Sequence, residues 1–160
     1  MFLTDKEFEN VIKKTPMIAI DLCITDENKI LLGKRINPPA KNYYFVPGGR
    51  IRKSETIGLA LERILYAETG RKIINKYIIR PLGVFEHFYK DNFKGNSDFD
   101  SHYVVLAYHI PIKALSEIDK NFKDVQHEEN KWFRITETSF ENIHKYSVAY
   151  FDKLKIKSNS

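Results

Sequence analysis

Between Gly48 and Gly70 the chain reads GGRIRKSETIGLALERILYAETG, and no other stretch restricts the possible folds as much. Two glycines let backbone approach a neighbour or a ligand closely, and the residues after them carry helical periodicity. At about 100° per residue, Ile57, Ala60, Leu61, Ile64, Ala67 and Glu68 share one side, while Glu55, Leu59, Glu62 and Tyr66 share the other. Ser54 is the expected N-cap and Gly70 the expected left-handed stop, so a helix of about four turns must bury one face against something larger. One member of that face is a carboxylate. Glu68 on an apolar stripe needs a partner, because an unpaired buried charge is costly or takes up a proton. Two partners are open to it: an inward-pointing Arg or Lys, or a metal or phosphate group, which the Gly48-Gly49 turn upstream favours.

The rest of the chain supplies what that helix packs on. Thr4 opens a short helix with Phe8, Val11 and Ile12 on one side, and Pro16 ends it. Residues 17–25 and 29–35 are β-rich runs joined by Asp26-Glu27-Asn28, a hairpin signal. A proline-bearing loop at 37–42 leads into a short strand at 43–46. Residues 77–89 and 102–110 read as two long strands around a polar loop, and both faces of the second are apolar, which places it inside a sheet. A helical piece at 114–118, a strand at 131–134 and a mostly helical tail over 137–155 complete the pattern. In that tail Ile143, Tyr146, Ala149 and Tyr150 lie near helical spacing, and 155–160 is expected to fray. Strands with a few helices outside them imply α+β, a sheet covered by helices.

With 160 residues, 42% of them hydrophobic, the chain fills one core, so a single domain over 1–160 is expected. No apolar run reaches the length of a membrane span, and MFLTDKEFENVIKK is unlike a secretory signal. The lone Cys23 sits in the apolar run MIAIDLCIT and reads as a core thiol. A cytoplasmic protein is the expectation. The net charge of +5 favours anionic partners, but its cations are scattered as Lys34-Arg35, Arg50, Arg52-Lys53 and Arg71-Lys72. Small phosphate compounds therefore fit better than nucleic acid, which asks for a continuous patch or a known module.

The segment also resembles the Nudix box, through Gly49, Glu55, Arg63, Glu68 and Gly70 at that family's spacing. It departs from the general pattern at Ile64 and Ala67, where acids are usual, and at Arg71, where an aliphatic residue is usual. The likeness extends over nearly the entire chain. MFLTDKEFENVI, TPMIAIDLCI, LLGKR, YYFVPGGRI, GVFEHFYKDNF, SHYVVLAY and QHEE, in that order, resemble the GDP-mannose mannosyl hydrolases, an atypical Nudix branch that lacks those two acids.

That resemblance implies a Nudix fold, a mixed sheet in an α/β/α sandwich, and Mg²⁺-dependent hydrolysis of a GDP-sugar, with water attacking and inverting the anomeric carbon. The ligands it implies are the Gly48 carbonyl, Glu68 and Gln126, oxygen donors suited to one Mg²⁺ per subunit with Mn²⁺ able to substitute. It makes His127 the general base, and Arg35, Arg50 and Tyr103 the groups that meet the leaving diphosphate. Arg63 beside Glu55 reads as an ion pair holding loop to helix. Asp21 and His87 interrupt apolar strands, and stand equally as satisfied core residues or as groups near the sugar. Phe2, Leu3 and Phe8 read as core packing from the sequence alone; the resemblance assigns helix 4–14 to guanine contact or to a homodimer interface. Two rivals remain: a pyrophosphohydrolase cutting another nucleoside diphosphate compound at phosphorus, and a non-catalytic nucleotide-binding module.

Overall fold

The computed structural model describes residues 3–95, 97–119, 127–136 and 141–158. Along the chain run α1 (Asp5–Lys14), β1 (Met17–Asp26), β2 (Lys29–Arg35), β3 (Tyr44–Phe45), β4 (Gly48–Arg50), α2 (Ile57–Thr69), β5 (Arg80–Tyr89), β6 (Ser101–Pro111), β7 (His127–Arg134) and α3 (Lys145–Ser158). The seven strands form one mixed sheet in the order β3-β2-β1-β6-β5, with β4 added to β1 and β7 to β2. β1 and β6 run parallel from Met17↔Tyr103 to Thr25↔Pro111, and the other pairs are antiparallel.

The sandwich follows from alternation along β1, whose side chains point to opposite faces with period two. Ile20, Leu22 and Ile24 pack with Ala60, Leu61, Ile64 and Leu65 of α2. Cys23, on the other face, packs with Tyr150, Phe151 and Leu154 of α3. Both faces of the central strand are thus covered, as in an α/β/α sandwich. Asp21 has the parity of Cys23, so it is turned toward α3, where the Tyr150 hydroxyl meets it.

α1 forms where Thr4 and Glu7 make a reciprocal capping box, with Asp5 and Glu7 in its first turn and Lys13 and Lys14 in its last. Several expectations need correction. The N-cap of α2 is Thr56, whose Oγ1 accepts from the Leu59 N–H at 3.2 Å; Ser54 lies in a left-handed turn at φ 65°. The turn is closed by the Arg52 N–H on the Glu55 carboxylate at 2.9 Å, so helical geometry begins only after it. Gly70 ends the helix in left-handed geometry, as expected. The buried face is centred on Ala60, Leu61, Ile64, Leu65 and Glu68, while Ile57 and Ala67 are exposed.

Gly48-Gly49 is not a turn but extended β4, paired Asp21↔Gly48 and Ile20↔Gly49. The strand expected from residue 77 starts at Arg80, because a 3-10 turn over Lys76–Ile78, capped by the Asn75 side chain, precedes it. The helical piece expected at 114–118 is a 3-10 turn over Ile112–Ala114, after which Leu115 bridges to Ile73. Ile143 is outside α3 and bridges to Tyr44, and α3 continues to Ser158 rather than fraying from 155.

Candidate functional site

A cavity of about 440 Å³ opens between the sheet, β4, α2 and the loop after β2. Its volume lies in the range of small-molecule sites. It brings together Phe8, Asp21, Arg35, Gly48, Arg50, Glu68, His87 and Tyr103, residues from seven different elements. Leu3 is 45% exposed and stands apart from that lining. Phe2 and Gln126 lie outside the described residues. His127 is the first residue of β7, paired in register with Arg35 of β2.

The helix side of the cavity is built by close approach. A Cβ on Gly48 would sit 2.5 Å from the Asp21 Oδ1 and 2.8 Å from the Ile20 carbonyl oxygen, and one on Gly49 would sit 3.2 Å from the Ile64 Cγ1. Only glycine at 48 lets β4 lie this close to β1, and glycine at 49 leaves the Ile64 side chain of α2 undisplaced. Across from it, α2 presents Ile64, Ala67 and Glu68 to the cavity, of which only the last is a carboxylate. Among the described residues no three His, Cys, Asp or Glu side chains gather as a metal cluster. A backbone carbonyl at Gly48 with one carboxylate at Glu68 is an all-oxygen set, the chemistry a hard divalent cation takes.

Another wall is cationic. Arg35, Arg50, Arg52 and Arg63 all line the cavity. Arg63 is committed to structure: it grips Glu55 at 2.6 and 2.8 Å and donates to the Arg50 carbonyl at 2.9 Å. That fork holds the Glu55 carboxyl down at about 2, as expected of a loop-to-helix ion pair. Arg35 donates from Nε to the Pro39 carbonyl at 2.9 Å, which aims its guanidinium from the 36–43 loop. Burial, with Arg52 and Arg63 nearby, pulls Arg50 below its ordinary value, while Tyr103 acts in the other direction. Crowded guanidiniums of this kind favour an anion between them. The Tyr103 phenol is pushed up by burial and so remains a donor.

Phe8 has two neighbours at the cavity. The Arg50 guanidinium lies 3.8 Å from its ring centroid, and the Phe93 ring lies at 4.8 Å. A cation–π contact of this kind holds Arg50 at the cavity wall. α1 is tied down further by Lys94 on Glu9 at 2.5 Å, which joins it to the loop between β5 and β6.

The floor is a buried polar chain. Tyr150 Oη donates to the Asp21 Oδ2 at 2.5 Å and lies 3.1 Å from the His87 Nε2. Burial drives the Asp21 carboxyl up to about 7, against the opposing pull of the Tyr150 hydrogen bond and the Arg35 charge. Burial, then the neighbouring His144, takes His87 down to about 4. The His87 ring stacks on Tyr146 at 4.0 Å and 7° between planes. Asp21 and His87 are therefore satisfied core groups and cavity groups at once. Sequence reasoning missed Tyr150, Tyr146 and Phe93 as parts of this site. The signal for the first two was their i, i+4 spacing, which sets both hydroxyls on one face of α3. Tyr146 uses its own to pair with the Phe88 N–H and carbonyl at 2.8 and 2.9 Å.

A mixed sheet between helices, with a glycine strand laid on a helix that ends in a cavity-facing carboxylate, defines a hydrolase domain of the Nudix class. The family model described as NUDIX domain matches residues 15–152, and the chain belongs to that family. Nudix hydrolases generally use divalent ions such as Mg²⁺ or Mn²⁺. The chain is 35% identical over 153 residues to the low-salt glycan biosynthesis protein Agl8 of Haloferax volcanii, across 95% of this chain and 90% of that one. It is 44% identical over 55 residues to an ADP-ribose pyrophosphatase of Methanocaldococcus jannaschii, 34% of this chain and 32% of the other. The fold is also that of a MutT Nudix hydrolase from Burkholderia pseudomallei, with TM-score 0.70 and 21% identity over 88% of this chain and 99% of the other. No described helix is long and apolar enough to cross a membrane.

Proposed function

We propose that the chain hydrolyses a GDP-sugar, GDP-mannose or also GDP-glucose, to GDP and the free sugar by water attack at the anomeric carbon with inversion. The observation that carries this reading is the composition of the α2 face in the cavity: Ile64 and Ala67 flank Glu68, so the helix supplies one carboxylate where attack at phosphorus would call for a cluster. A relative named for glycan biosynthesis and matched over most of its length supports a sugar nucleotide as substrate. In this reading His127 takes the water proton as oxygen bonds to the anomeric carbon, while the carbon–oxygen bond to GDP breaks and its electron pair leaves with the diphosphate. Arg35, Arg50 and the Tyr103 hydroxyl meet that growing charge. Gly48, Glu68 and Gln126 would hold the Mg²⁺, which when bound offsets charge on the leaving group. Asp21 and His87 face the sugar, and Phe8 acts through Arg50.

The second reading, cleavage between phosphates, is favoured by the 55-residue likeness to an ADP-ribose pyrophosphatase. Hydrolysis of GDP-mannose in ¹⁸O-water separates the two. Label in the mannose is expected, and label in a phosphate product would refute attack at carbon. Under the same reading the protein is a cytoplasmic homodimer of one domain per chain, with no nucleic-acid or membrane partner. Sedimentation at several concentrations, with and without GDP-mannose, checks the dimer.

A further inference from the structure

We propose that Tyr150 is a positioning residue: its single hydroxyl proton goes to Asp21, which makes His87 the Nε2–H tautomer and turns two acceptors toward the ligand. This rests on the sugar-nucleotide reading of the cavity. A tyrosine hydroxyl has one proton to give. The 2.5 Å separation from the Asp21 Oδ2 is that of a charge-assisted O–H···O bond, so the proton lies on that line. The 3.1 Å bond to the His87 Nε2 must then run the other way, from ring N–H to phenol oxygen. Burial keeps the ring neutral in the neutral and alkaline range, so its other nitrogen, Nδ1, carries a lone pair.

The surroundings fix this arrangement. Tyr146 stacks on the ring and is itself anchored at both hydrogen-bonding ends to Phe88, so a ring flip would set carbon against the Tyr150 oxygen. The ionisable groups around Asp21 are Tyr150 from α3, Arg35 from β2, Tyr89 from β5 and Cys23 from its own strand. His144 and Tyr89 face His87. Asp21 and His87 both line the cavity, and the polar atoms they keep beyond their bonds to Tyr150 are the second Asp21 oxygen and the His87 Nδ1, both acceptors in this arrangement. Only a ligand group with protons to donate is welcome there. Sugar hydroxyls qualify, and phosphate oxygens do not, so the floor and the arginine wall sort the two ends of a nucleotide sugar.

The test is Tyr150→Phe, which keeps the ring packed against Phe85 and removes one oxygen. At pH 8.5, ¹⁵N spectra of the wild type should show His87 protonated at Nε2 and bare at Nδ1. In the variant that preference should be lost. kcat/KM for GDP-mannose should fall about tenfold or more, the scale of a hydrogen bond to a charged group, while the inhibition constant of GDP changes less than about twofold. A wild-type Nδ1–H tautomer would overturn the proposal without any variant. So would a variant whose GDP affinity falls in proportion to turnover, or one with undiminished turnover, and either would leave the reaction itself standing. A wild type that turns over no GDP-sugar overturns the sugar reading and this role with it.

Discussion

Gly48→Ala is expected to lower the melting temperature by about 2–12 °C, and the size follows from what its methyl group meets. The new carbon would lie 2.5 Å from the Asp21 Oδ1 and 2.8 Å from the Ile20 carbonyl oxygen, both inside any real contact. Neither neighbour can yield. Ile20 is backbone in the central strand, fully buried, and the Asp21 carboxylate is held by Tyr150 at 2.5 Å. β4 must therefore lift from β1 and loosen the Asp21↔Gly48 pairing. Overpacking of this kind costs about 1–3 kcal/mol, and each kcal/mol is worth about 2–4 °C at this chain length. Two other glycines calibrate the experiment. At Gly49 the nearest atom is the Ile64 Cγ1 at 3.2 Å, a side chain able to give a few tenths of an ångström, so Gly49→Ala should cost less than about 1 kcal/mol. Gly58, in the first turn of α2, has open space where a Cβ would stand, and Gly58→Ala should gain about 0.5–1 kcal/mol. Calorimetry should rank the melting points Gly58→Ala, wild type, Gly49→Ala, Gly48→Ala. A Gly48→Ala protein melting with or above Gly49→Ala would refute the close approach of β4 to β1.

The buried Asp21 gives a pH signature. Its carboxyl is raised to about 7, so its favourable contribution is complete below about pH 4 and is lost as pH rises through 7; Asp21→Asn should flatten that slope and gain at most about 4 kcal/mol at pH 8. His87, lowered to about 4, acts oppositely: its contribution is present above about 6.5 and is lost as pH falls through 4, so His87→Phe should reduce acid lability in urea titrations. His127→Gln should lower kcat on GDP-mannose by about 10²–10⁴-fold while GDP-mannose binding, read by calorimetry, persists; unchanged turnover would remove it as base.

The sandwich was legible because its signals are local. The β-rich runs at 17–25 and 29–35 with the Asp26-Glu27-Asn28 hairpin signal between them locate β1 and β2, and helical period with Gly70 fixes α2 and its end. Several of the misread points depend on contacts made across the chain. Ser54 has the chemistry of an N-cap, but the Glu55 carboxylate closes a turn on the Arg52 N–H and is itself held by Arg63, eight residues on, so the helix waits for Thr56. Gly48-Gly49 looks like a turn by composition, and is straight because β1 lies alongside and Ile64 lies over it. Tyr150 is 129 residues from Asp21, a separation at which periodicity carries no information, so its hydroxyl emerges only from the packing of α3 on β1.

The cavity concentrates groups that a fold selected for stability alone would discard. A buried carboxyl at about 7, an imidazole at about 4, a glycine in a strand and a cluster of guanidiniums each cost something where they stand. Each is also held by a dedicated neighbour: Tyr150 for the acid and the imidazole, Asp21 and Ile20 against the glycine, Phe8 for Arg50. Support of that kind distinguishes a maintained site from a decayed one, because loss of function would leave the costs without the reason to keep them. It weighs against a non-catalytic module even though α2 has Ile64 and Ala67 where acids are usual. The acids are missing from one wall of the cavity, and an ordered acid–hydroxyl–imidazole chain stands on the floor.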